Sequence, residues 1–152
     1  MTMKTCFIFV LLLVSYMVPA QTQTYDLAND KVMNESYPFQ VLESGQSYTT
    51  KTGDYIFYSE PEFIDFCNET FGLDSKIPFV DFNGETALIA FKNTGYSAAR
   101  LFVDQVVETE HFIKVMVKTT EPQTAAKKKT ATSQYVIVKV KKSNKEIKVI
   151  YL

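Results

Sequence analysis

The chain has 152 residues, 46% hydrophobic and 14% aromatic, with 16 Lys and Arg against 17 Asp and Glu. That length suits one domain, and that apolar content argues against wholesale disorder. The 12 Phe and 9 Tyr, with no Trp and many Val, Ile and Thr, favour strands.

The N-terminus reads as a targeting segment. Lys4 precedes the apolar run Cys6 to Val14, and Val18-Pro19-Ala20 carries residues suited to a cleavage site, so residues 1–20 are expected to be a signal peptide cut after Ala20. The competing reading is a membrane anchor. The apolar part ends by Ala20, and a polar Gln-Thr-Gln-Thr follows, so no stable span is expected after cleavage. Cys6 opens the apolar run, whereas lipid attachment needs a cysteine after it. Cleavage leaves Cys67 as the one cysteine, which excludes an intramolecular disulfide. Cys67 then reads as a small buried residue on a helix face rather than a reactive thiol. Two sequons, Asn34-Glu35-Ser36 and Asn68-Glu69-Thr70, matter only in a glycosylating pathway.

Residues 21–38 are polar and nearly featureless, which predicts a flexible leader. The domain is expected over 39–152. Phe39-Gln40-Val41-Leu42 predicts a short strand, Glu43-Ser44-Gly45-Gln46 a turn, Lys51-Thr52-Gly53-Asp54 another turn, and Tyr55-Ile56-Phe57-Tyr58 an aromatic strand. Ser59-Glu60-Pro61-Glu62 is a helix start: a capping serine, an acid three residues on, and a proline in the first turn. Phe63, Phe66, Cys67 and Phe71 recur at helical spacing and Gly72 ends the run, so an amphipathic helix is predicted over 60–71. Its outer face is acidic.

The centre of the chain is Ile77-Pro78-Phe79-Val80-Asp81-Phe82-Asn83, then the continuous apolar strand 84–91, then the turn Asn93-Thr94-Gly95-Tyr96. With no base, nucleophile or ligand set beside it, Asp81 reads as a structural aspartate accepting backbone bonds from the Asn83-Gly84 turn. Tyr96 either packs inward or protrudes as a contact. Downstream, 101–107 and 112–118 flank the turn Glu108 to His111. The runs 134–140 and 147–151 flank Lys141 to Lys145, which predicts a second hairpin. Between the pairs lies a loop with Pro122 and Lys127-Lys128-Lys129.

Charge is distributed unevenly. Residues 21–110 hold 5 basic and 15 acidic side chains, whereas 111–152 hold 10 basic and 2 acidic. A basic binding face is one reading. The other, which the alternation of lysines with apolar residues favours, is mutual neutralisation across neighbouring strands. His111 is the only histidine and reads as an exposed turn residue. No phosphate loop, zinc spacing or serine elbow is present. No catalytic residue, metal ligand, cofactor or nucleic-acid partner is therefore assigned.

The order of helix, Val80-Asp81-Phe82, apolar strand, Gly95-Tyr96, strand pair, Pro122 loop and Tyr135-Val136-Ile137-Val138 strand resembles the C-terminal domain of the PrcB family, over roughly 40–152. That family is named for an exported protease-complex subunit. The resemblance implies a periplasmic, cell-envelope or secreted binding module that is an accessory or stabilising subunit of a protease. Two departures are the shorter segment before Gly95-Tyr96 and Gln134 where the family often has proline. Asn93-Thr94-Gly95-Tyr96 is also similar to one loop of chagasin-type cysteine-protease inhibitors, which implies the alternative of inhibition through 93–96. The fold expected is α+β, mainly an antiparallel sheet with the 60–71 helix packed on it, with a β-sandwich bearing a lone helix as its structural alternative.

Overall fold

Strands account for most of the described residues, and one helix packs on them. The structure, a computed structural model, describes residues 26–94, 99–120 and 132–152. The stretch 1–20 read as a signal peptide, Gly95 and Tyr96, Pro122 and Lys127-Lys128-Lys129 lie outside the described residues. The elements in chain order are β1 (Val32–Asn34), β2 (Phe39–Ser47), β3 (Gly53–Phe57), α1 (Glu60–Phe71), β4 (Glu85–Thr94), β5 (Arg100–Thr109), β6 (Phe112–Thr120), β7 (Thr132–Lys141) and β8 (Glu146–Tyr151).

They build two four-stranded sheets, ordered β1-β5-β6-β8 and β2-β7-β4-β3. Leu88, Ala90, Val136, Val138 and Val140 from the second sheet meet Leu101, Val106, Ile113, Val115, Val117 and Ile147 from the first. The other face of the second sheet, with Ala87, Ile89, Phe91, Tyr135 and Ile137, carries Phe63 and Cys67 of α1. The layers are thus sheet, sheet and helix, an α+β arrangement. Strands β4 and β7 are buried on both faces, which explains their continuous apolar sequences. Strand β6 packs Ile113, Val115 and Val117 on one face only, so its sequence alternates.

The helix occupies Glu60–Phe71. Phe63 is 1% exposed and stacks edge-on to Phe57 at 5.5 Å, and Phe66 lies 4.6 Å from Tyr55. Burying a phenylalanine of this kind contributes about 1.5–3 kcal/mol. Ser59 holds the extended N-cap conformation, but its side chain makes no capping bond. The expected capping box is therefore incomplete. Gly72 ends the helix with φ +96° and donates its N–H to the Asn68 carbonyl at 3.0 Å.

Three expectations are corrected. Residues 43–46 are not a turn: β2 runs on to Ser47 along β7, with a bulge between Val41 and Glu43. Gly45 serves close approach, because a Cβ there would lie 3.1 Å from the Tyr135 hydroxyl. Residues 141–145 are not a hairpin: β7 lies between β2 and β4, whereas β8 pairs parallel with β6 in the other sheet. This connection is a crossover between sheets, held by Lys142, whose Nζ donates to the Phe82 carbonyl at 2.9 Å, and by Lys145, whose Nζ donates to the Thr109 carbonyl at 2.7 Å. Finally, the stretch read as a leader contains β1, which pairs with β5, and Tyr37, which is 7% exposed and joins the core between the sheets.

The charge asymmetry closes on itself in part. Lys118 pairs with Asp104 at 2.8 Å, Lys139 with Glu85 at 2.9 Å and Lys145 with Glu108 at 2.8 Å. The Lys139 ammonium holds the Glu85 carboxyl below its usual range, against the opposing effect of burial. Each pair joins a basic residue of the C-terminal third to an acid upstream, and two of them span adjacent strands.

Candidate functional site

Val80 is buried and Phe82 packs against Phe63 at 5.9 Å. Between them, Asp81 is exposed and organises the turn into β4. Its Oδ1 accepts the Asn83 N–H at 3.1 Å, and its carbonyl accepts the N–H groups of Gly84 and Glu85 at 3.0 and 2.8 Å. Glu85 Oε2 in turn accepts the Asp81 N–H at 3.0 Å. These bonds fix a bend and present no reactive group. Asn93 and Thr94 stand at the far end of β4, about 30 Å away at ordinary strand rise. Asn93 is exposed and Thr94 is buried. The two stretches singled out in sequence are therefore not brought together.

Cys67 lies under α1 at 1% exposure. Burial, with the Glu43 carboxylate nearby, pushes its thiol up to about 11, so it is neither a thiolate nor accessible at neutral pH. Tyr135 donates to Glu43 Oε1 at 2.5 Å across a cleft that Cys67, Phe71 and Ile77 also line. Burial and the Glu43 carboxylate raise the Tyr135 hydroxyl far above its ordinary value. The Tyr135 hydroxyl and the Glu43 carboxylate thus engage each other, and the Cys67 thiol beside them stays protonated.

The outer face of the first sheet is different. A turn at 26–29, closed by Asp26 bonds to the Ala28 N–H at 2.9 Å and the Asn29 amide at 2.6 Å, lays the chain over β5 and β6. Asp30, its side chain 3% exposed, meets His111 at the hairpin tip: Oδ1 is 2.6 Å from His111 Nδ1 and Oδ2 accepts the His111 N–H at 3.3 Å. Burial raises the Asp30 carboxyl, but hydrogen bonds from Thr109 and His111 outweigh it and hold it at about 2. His111 is thus a half-buried partner of a buried carboxylate rather than an exposed turn residue. Glu110 completes a set in which Asp30, Glu110 and His111 each offer one ligand atom within 4.8 Å of the others, the donor types a divalent cation takes. Asp30 and His111 already hold each other, which competes with that use.

Beside this cluster runs a groove of about 530 Å³. Val107, Met116 and Ile150 lie along it, Leu27, Val32 and Leu152 rim it, and Asp30, Glu35, Thr109 and Lys114 supply polar groups. Lys114 stands on the outward face of β6, where alternation predicts a solvated lysine, yet it is 6% exposed because the 26–30 segment covers it. Its Nζ donates to the Leu27 carbonyl. Sequence reasoning missed Asp30 and the covering of Lys114. The alternation in β6 places Lys114 on the correct face, but no local pattern announces that the polar 26–30 segment returns to that face.

No helix among the described residues is long and apolar enough to cross a membrane. No family model, no curated protein and no solved structure matches this chain.

Proposed function

We propose that this chain is an exported, non-enzymatic binding module, an accessory or stabilising subunit of a secreted or envelope protease complex. The observation that carries the binding reading is the groove on the first sheet. It brings exposed apolar side chains, Leu27, Val32 and Leu152 at 40%, 48% and 55% exposure, beside a buried ammonium. Apolar rims with a few convergent polar groups suit contact with another molecule. The disposition of Cys67 and His111 agrees with it: one lies beneath α1 on the second sheet, the other at a hairpin tip of the first, so they do not form a nucleophile and base pair. The protease as partner class, and export itself, follow from the resemblance to PrcB and from the apolar N-terminus.

The inhibitor reading through Asn93, Thr94, Gly95 and Tyr96 draws less support, since Thr94 points into the protein. The test is to add the purified mature protein to envelope extract, cross-link, and isolate it by affinity tag. One protease is expected in stoichiometric amount, with a longer half-life in the presence of the module than in its absence. Recovery of no protease, or a protease whose half-life the module leaves unchanged, overturns the assignment.

A further inference from the structure

An ammonium brings three N–H donors. Lys114 spends one on the Leu27 carbonyl, and among the described residues no carboxylate lies within ion-pair distance of its Nζ. Asp30 lines the same groove but is engaged: Oδ1 faces His111 Nδ1 and Oδ2 takes the His111 N–H. Glu35 sits exposed at the rim. A buried cation whose other donors meet no partner among the described residues is costly unless an anionic oxygen reaches it. Gln105 and Thr109 are the other polar lining residues, and Val107, Met116 and Ile150 give the groove its apolar run. With Asp30 held by His111 and Glu35 exposed at the rim, the Lys114 ammonium and the apolar run match a carboxylate that terminates an apolar chain.

We propose that this groove binds the free C-terminal carboxylate of a partner polypeptide, with Lys114 holding the carboxylate and the apolar run taking the last one or two side chains. The inference rests on the binding-module reading and names the part of the partner that is held. An acyl chain offers the same carboxylate. However, the rim residues Leu27, Val32 and Leu152 are 40%, 48% and 55% exposed, so the walls are low and a methylene chain would stay partly wetted along its length. A peptide keeps its backbone amides hydrated while burying selected side chains, which suits an open groove of about 530 Å³.

The experiment is a ¹⁵N NMR titration of the mature protein with three probes: acetyl-Gly-Ser-Gly-Ser-Val-Leu as the free acid, the same peptide as its C-terminal amide, and decanoate. The free acid is expected to move the signals of Lys114, Met116 and Ile150 and to bind about tenfold or more tightly than the amide. Lys114→Met is expected to abolish that preference with an unchanged thermal midpoint, and Lys114→Arg to retain it. Equal binding of acid and amide, shifts confined to other strands, or no shift at millimolar peptide overturns the proposal. Tighter binding of decanoate at the same residues also overturns it, in favour of an acyl ligand. Loss of peptide binding alongside intact protease capture removes the groove assignment alone, and the converse removes the protease assignment alone.

Discussion

At the scale of single residues, Asp30 shows how a charge outside any recognisable motif becomes structural. Its carboxylate is nearly covered, which alone would favour the neutral form, yet the bonds from Thr109 and His111 hold it at about 2 against an ordinary 3.8. A carboxyl depressed in the folded state stabilises that state at every pH above its unfolded value. The contribution drains away as pH falls through the folded value. The thermal midpoint of the wild type should therefore drop between about pH 4 and pH 2 through this group. Asp30→Asn should melt below the wild type above that window, with the gap closing as pH approaches 2. A gap that stays constant over the whole range would mean that Asp30 acts through shape or neutral hydrogen bonding rather than charge. The same residue pins the 26–30 segment over Lys114, so its loss should also expose that lysine.

At the scale of elements, the two ends of α1 differ in what holds them. Ser59 is a favoured N-cap residue with N-cap backbone geometry, but no side-chain bond is made. Ser59→Ala should cost less than the usual cap, within about 0.5 kcal/mol. Gly72 sits at φ +96°, where a side chain is strained although no atom lies in its way. Gly72→Ala should cost about 1 kcal/mol or more. Urea melts of both variants check the ranking, and an alanine at 59 that costs more than one at 72 would show a cap that forms in solution. The helix itself was legible because its apolar spacing, proline and glycine all agree. Strands β4 to β7 were legible as apolar or alternating runs. Other features depend on tertiary partners. The crossover after β7 has the sequence of a hairpin, and the β8 pairing with β6, with the Lys142 and Lys145 bonds to the Phe82 and Thr109 carbonyls, reveals where it goes. Gly45 looks like turn punctuation until the Tyr135 ring is found against it. Strand β1 is three exposed residues with no period, ordered by pairing with β5 and by Asp30 on His111. For the same reason the groove was not legible, since Leu27, Ala28, Asp30 and Val32 of its lining come from that strand and the segment before it.

At the scale of the whole molecule, stability is graded from the middle layer outward. Strands β4 and β7 are adjacent, pair over ten residues from Glu85 to Thr94, and are covered by the first sheet on one face and α1 on the other. Their amides open only when both cores are lost, so exchange there requires global unfolding. Strand β8 is an edge with one hydrogen-bonded neighbour, and β1 is a three-residue edge with an irregular register. Native-state hydrogen exchange should therefore rank Leu88–Ala90 and Val136–Val138 slowest, at the free energy of unfolding measured by denaturant. The outward-facing amides of β8 should follow, and β1 should exchange fastest by local opening. Because Val32 of β1 and Leu27, Ala28 and Asp30 of the 26–30 segment line the groove, a ligand bound there should damp their local opening. Saturating the site should slow exchange in β1 and leave β4 unchanged, since β4 already reports the global event. A β1 that is as protected as β4 in the free protein would mean that the groove wall is part of the cooperative core, with no local opening for a ligand to damp.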